Sequence, residues 1–231
     1  MTPLLELIEA LRRCQGSCKA SLEILHPKSS LDDVELPTDP SGQPLTVHAI
    51  TADFLSLLQM LYSHATRISL AIKPPSTPAA AIKCLSDLST DVTRIVLCAA
   101  SVVTPGGATL SKEFVWGTQE VCEGIIHFLE GLLDENEKDD KAYLRRMGVI
   151  HATIDKVKTS LSNTNLEAVA KRWKSHSESL QDALKEVKEM AEDQSGDDED
   201  DGWDELMGDG ALKETASREE AERIKQVSQC F

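Results

Sequence analysis

The feature that most constrains this chain is a helical period that recurs in one long segment after another, each segment closed by proline or glycine. From Thr46 onward, Ile50, Phe54, Leu57, Leu58, Leu61, Ala65, Ile68 and Ile72 return every three or four residues. That spacing lines one face of an α-helix. Pro74 and Pro75 follow at once, and proline cannot carry a helix onward. The pattern predicts a helix from about Thr46 to Ile72. Strands would need a period of two, and aromatic residues make up only 4% of the chain, too few for the usual β-sandwich core.

The same reasoning divides the rest of the chain. A first helix is expected from Thr2, with Pro3 in its first turn. It carries Leu4, Leu7, Ile8, Leu11, Cys14, Cys18, Leu22 and Leu25, is weakened at Gly16 and ends at Pro27. Residues 28–45 hold Pro37, Pro40, Gly42 and Pro44 and read as a loop. A third helix starts after Thr77-Pro78 and runs to about Val103, with Pro105-Gly106-Gly107 marking its end. A fourth is expected from about Thr109 to Leu133. A fifth follows the polar run 134–140, from about Lys141 to Leu161. The sixth opens on Thr164-Asn165-Leu166-Glu167, a capping box in which each end satisfies an amide of the other. It presents Val169, Trp173, Leu180, Leu184 and Val187.

Each helix is apolar on one face only, and short links make consecutive helices antiparallel neighbours. The expected fold class is therefore all-α: an antiparallel helical bundle of five or six helices over residues 1–192. Residues 193–216 are expected to form an acidic, flexible linker, and residues 217–231 a short helix.

The bulk charge narrows the functional classes. A formal net charge of −15 repels phosphate backbones, so direct nucleic-acid binding is not expected and basic surfaces are favoured as partners. The N-terminus has acids where a signal peptide needs a basic start, and no stretch reaches the roughly 20 apolar residues of a membrane span. A soluble, intracellular protein is expected.

The search for chemistry is negative. Cys14 and Cys18 lie one turn apart, but no second Cys/His pair accompanies them, whereas zinc takes about four ligands. They read as small buried hydrophobes. Gly106-Gly107-Ala108-Thr109 lacks the lysine and preceding strand of a phosphate-binding loop and reads as a turn between helices. His64, His127, His151 and His176 fall on separate helices, outside any metal-binding or catalytic pattern. No catalytic residue, metal or cofactor is expected.

One surface feature stands out. Asp197, Asp198, Glu199, Asp200 and Asp201 precede Gly202-Trp203-Asp204-Glu205-Leu206-Met207. Such a run is commonly a solvating linker. It also fits a binding motif in which carboxylates, Asp200 and Asp201 among them, keep Trp203, Leu206 and Met207 available for a basic-rimmed groove on a partner.

Taken together, several segments resemble the Grap- and cyclin-D-interacting, or cyclin-D-binding, protein family. The resemblance is carried by Gly107-Ala108-Thr109-Leu110-Ser111-Lys112 opening one helix and Gly148-Val149-Ile150-His151-Ala152 in the next. The helix with Trp173 and the acidic linker with Gly202-Trp203 add to it. As an arrangement of helices it spans nearly the whole chain. It implies a helical bundle without enzymatic activity that associates with D-type cyclins and helix-loop-helix regulators and acts in cell-cycle control in nucleus and cytoplasm. It also implies a second helical portion after the linker, so this sequence is expected to be a shortened form or an incomplete gene model. No basic region precedes a helix pair, so helix pairing rather than DNA contact is the consistent route.

The leading expectation is a regulatory adaptor. The alternatives are an acidic chaperone or carrier for basic clients, resting on the charge, and a structural bundle of the vinculin or talin sort, resting on architecture alone.

Overall fold

The computed structural model describes residues 3–25, 45–73, 75–133 and 142–193. These are almost entirely helical: α1 (Pro3–Glu23), α2 (Val47–Ile72), α3 (Pro78–Ser101), the single turn α4 (Val103–Gly106), α5 (Ala108–Leu133), α6 (Ala142–Ser160) and α7 (Asn165–Asp193). The expected all-α bundle is what forms. Two compact units divide the chain, Met1–Val169 and Ala170–Phe231.

In the first unit, five long helices pack in a closed circuit, α1 on α3, α3 on α2, α2 on α6, α6 on α5 and α5 on α1. Helix α3 also packs against α5 across the circuit. Helix α1 therefore docks on α3 and α5, not on α2, its successor in the chain. The side chains that drive this are those of the sequence period. Ile50, Phe54, Leu58, Leu61, Ala65 and Ile68 of α2 are buried against Leu85, Leu88, Val92, Ile95 and Val96 of α3 and Leu110, Phe114, Val121, Ile125 and Phe128 of α5 in one core. At its centre the rings of Phe54 and Phe114 lie 4.8 Å apart and tilted by 60°, a favoured aromatic geometry.

The helix boundaries follow local chemistry. Thr46 caps α2, its hydroxyl accepting from the Ala49 amide at 3.2 Å. Gly16 does not interrupt α1, because backbone bonds carry the helix through it and no neighbour comes within 4 Å of where its side chain would be. At Gly117 the absent side chain has a use. A Cβ there would fall 2.8 Å from Val157 of α6, so glycine sets how closely α5 and α6 approach.

The capping box of α7 forms with a shift. The Thr164 hydroxyl accepts from the Glu167 amide at 3.2 Å, but the Glu167 carboxylate returns to the amide of Asn163, at 2.9 Å, instead of that of Thr164.

Candidate functional site

Three places in the first unit bring polar or reactive groups together. The first joins α2 to α3. His64 Nε2 lies 3.0 Å from Asp91 Oδ2, and Arg94 donates to Asp91 Oδ1 at 3.1 Å. His64 and Asp91 are both buried, at the floor of an open depression of about 460 Å³ also lined by Met60, Ser63, Arg67, Asp87 and Thr90. A histidine–aspartate pair beside a hydroxyl invites a catalytic reading. General base catalysis needs an imidazole nitrogen within reach of the substrate. Here Nε2 faces Asp91, and Nδ1 is sealed from solvent without a partner. The pair is a polar cross-link between two helices. Sequence reasoning missed this pairing, and the signal for it was a polar residue set in each apolar stripe, Asp91 among Leu88, Val92 and Ile95 and His64 between Leu61 and Ile68.

The second place is the thiol group Cys14, Cys18 and Cys122, buried between α1 and α5. The Cys18 thiol hydrogen-bonds Cys14, which lowers the Cys14 pKa and raises that of Cys18. Burial pushes Cys122 up to about 12. A thiol so raised is a poor nucleophile and ligand, because the thiolate is the reactive form. Cys14 and Cys18 are both buried in the core, as expected of them. Among the described residues, no three His, Cys, Asp or Glu side chains gather as metal ligands do.

The third place is the start of α5. Gly107 takes φ of +76°, a region glycine enters without steric cost. The amides of Thr109 and Leu110 then point at Asn165 Oδ1, 3.2 and 3.0 Å away. Helix N-termini attract anions through such unpaired amides, but here a side chain from the start of α7 fills the place. The glycines serve a turn between helices, and Asn165 is the cap that the sequence did not disclose. Its identity within a capping-box motif pointed to its own helix, 55 residues away from the amides it satisfies.

The histidines divide as their surroundings dictate. His151 stacks on Tyr62 at 3.5 Å and bonds the Thr66 hydroxyl at 3.2 Å, at the edge of the core. His127 and His176 are exposed.

Helix α7 is different from all of these. Leu166, Val169, Trp173, Leu180 and Val187 recur at helical spacing, yet all are exposed, Trp173 at 77% and Leu180 at 70%. Leu184 is half-buried. Outside this stripe the helix is strongly charged, with ion pairs one turn apart at Lys174–Glu178 and Lys185–Glu189. Such pairs support a solvated helix. The result is an amphipathic helix whose apolar stripe is exposed at Leu166, Val169, Trp173, Leu180 and Val187. Exposed apolar stripes of this kind mark protein-interaction sites. The residues proposed from sequence for partner binding, Asp200, Asp201, Trp203, Leu206 and Met207, lie outside the described residues.

Comparison with known families supplies the remaining observation. The family described as Grap2 and cyclin-D-interacting, N-terminal, matches residues 53–193, more than half of the chain. The chain belongs to this family. The matched region of the cyclin-D-interacting family runs from α2 to the end of α7. It contains the Gly107–Lys112 and Gly148–Ala152 segments and Trp173, and it leaves out α1 and Gly202-Trp203. No curated protein and no solved structure gives a significant match. The family is described by what it interacts with, and no helix among the described residues is long and apolar enough to cross a membrane.

Proposed function

We propose that this member of the cyclin-D-interacting family is a non-enzymatic regulatory adaptor that works by docking helices of protein partners onto the apolar face of α7. The single observation that carries this reading is the exposed stripe through Trp173 and Leu180. An amphipathic helix of a partner recognises such a face through anchors at the same spacing. D-type cyclins and helix-loop-helix regulators are the proposed partners, by family, and the acidic Trp203 segment is a proposed second contact. Cell-cycle and transcriptional control in nucleus and cytoplasm is the proposed setting.

Calorimetric titration of a purified D-type cyclin into the full chain tests this directly. Trp173→Glu with Leu180→Glu should abolish binding, and Trp203→Ala should weaken it. Binding unchanged by either variant would overturn the proposal. Binding that survives both variants and collapses steeply with salt would favour an acidic carrier for basic clients instead.

A further inference from the structure

The exposed face of α7 is not a generic greasy stripe but a strict seven-residue repeat. Leu166, Trp173, Leu180 and Val187 stand seven residues apart and define position a of a heptad. Val169, His176 and Ala183 occupy position d. A sustained a/d pattern is the seam of a helix pair, in which the neighbouring e and g residues set orientation. Exposure of this seam along one helix leaves it without its partner strand.

We infer that the seam pairs with its own copy, α7 against α7 in antiparallel order, to form a homodimer. In the antiparallel order, position a of one helix shares a layer with position d of the other. Trp173 then faces Ala183, Leu180 faces His176, and Val187 faces Val169, with each layer repeated by the two-fold axis. The largest side chain is thus set against the smallest. The g positions pair with each other, so Arg172 of each copy meets Glu186 of the other, giving two interhelical ion pairs. Ser179 meets Ser179 at the axis, and the e positions bring Ala170 to Leu184 and Ser177 to Ser177. No like charges meet across the seam.

Parallel order has none of these properties. Trp173 would face Trp173, Ala183 would face Ala183 and the two His176 rings would be forced together. Each g position would meet an e position of the other chain, so that Arg172 met Ser177 and Glu186 met Ala191, with no ion pair. The sequence of this one helix therefore selects a second copy in antiparallel order by size and by charge. The dimer does not depend on any other partner binding α7. Where such a partner exists, the dimer would compete with it for the same side chains.

The experiment is sedimentation equilibrium of the full chain at concentrations up to about 100 μM, where association with a micromolar Kd is nearly complete. The wild type should form a dimer. Trp173→Glu should be monomeric, with its helical circular dichroism retained because the position is exposed. Arg172→Glu and Glu186→Arg should each weaken association about tenfold, and the double exchange Arg172→Glu/Glu186→Arg should restore it. A wild type that stays monomeric throughout overturns the inference, as does a dimer indifferent to Trp173→Glu or a double exchange no better than its singles. A monomeric chain that still binds a cyclin through Trp173 would sink the homodimer and leave the proposed function standing.

Discussion

Helices α2 and α7 are of similar length, 26 and 29 residues, and each carries apolar side chains at helical spacing. Their fates are opposite. In α2, Ile50, Phe54, Leu58, Leu61, Ala65 and Ile68 are all buried, whereas in α7, Leu166, Trp173 and Leu180 face solvent. Width separates them. The α2 stripe is flanked by further apolar groups, Leu55, Leu57, Tyr62 and Ile72, which pack on the core as well. The α7 stripe is narrower, with Arg172 and Glu186 along one edge. A broad apolar face must be enclosed by several helices, whereas a two-position seam is covered by one. Periodicity reveals that a face exists, and its breadth indicates how many neighbours it needs.

Mutations sharpen the contrast. The largest effect is expected for Phe54→Ala, which removes a fully buried ring from the centre of the core and should cost about 3–5 kcal/mol in urea denaturation. A loss under about 1 kcal/mol would mean that the Phe54 ring is not enclosed by the core. Asp91→Ala should cost about 1–3 kcal/mol, because it leaves His64 buried with neither nitrogen partnered. Thermal unfolding of Asp91→Ala beside Asp91→Asn separates this polar cross-link from simple packing. Asn165→Ala should cost about 1–2 kcal/mol by freeing the Thr109 and Leu110 amides. Its unfolding midpoint should move more than that of Thr164→Ala, whose hydroxyl caps only the exposed start of α7. The smallest effect is expected for Trp173→Ala, within about 0.5 kcal/mol of the wild type. If its cost in stability matched that of Phe54→Ala, the difference drawn between the two helices would fail.

Much of this was readable beforehand. Each long helix appears within a few residues of where its period and its punctuation placed it, because proline and glycine act on the backbone locally. Cys14 and Cys18 are buried, as their place on the apolar face of the first helix suggested. Less was readable where two distant segments meet. Nothing local joins His64 to Asp91, 27 residues on, and Asn165 looked like part of its own helix start when its oxygen serves α5. The candidate site was half legible. Val169, Trp173, Leu180, Leu184 and Val187 were recognised as one face from their spacing, whereas their individual exposure is read only from the structure.

By itself, then, the sequence determined the helices, their amphipathic faces and the all-α class, since these follow from spacing and from residues that cannot continue a helix. The tertiary structure alone decided which faces are covered. Helix α1 docks on α3 and α5, and α5 receives its cap from Asn165, because burial depends on the sum of contacts among segments far apart in the chain.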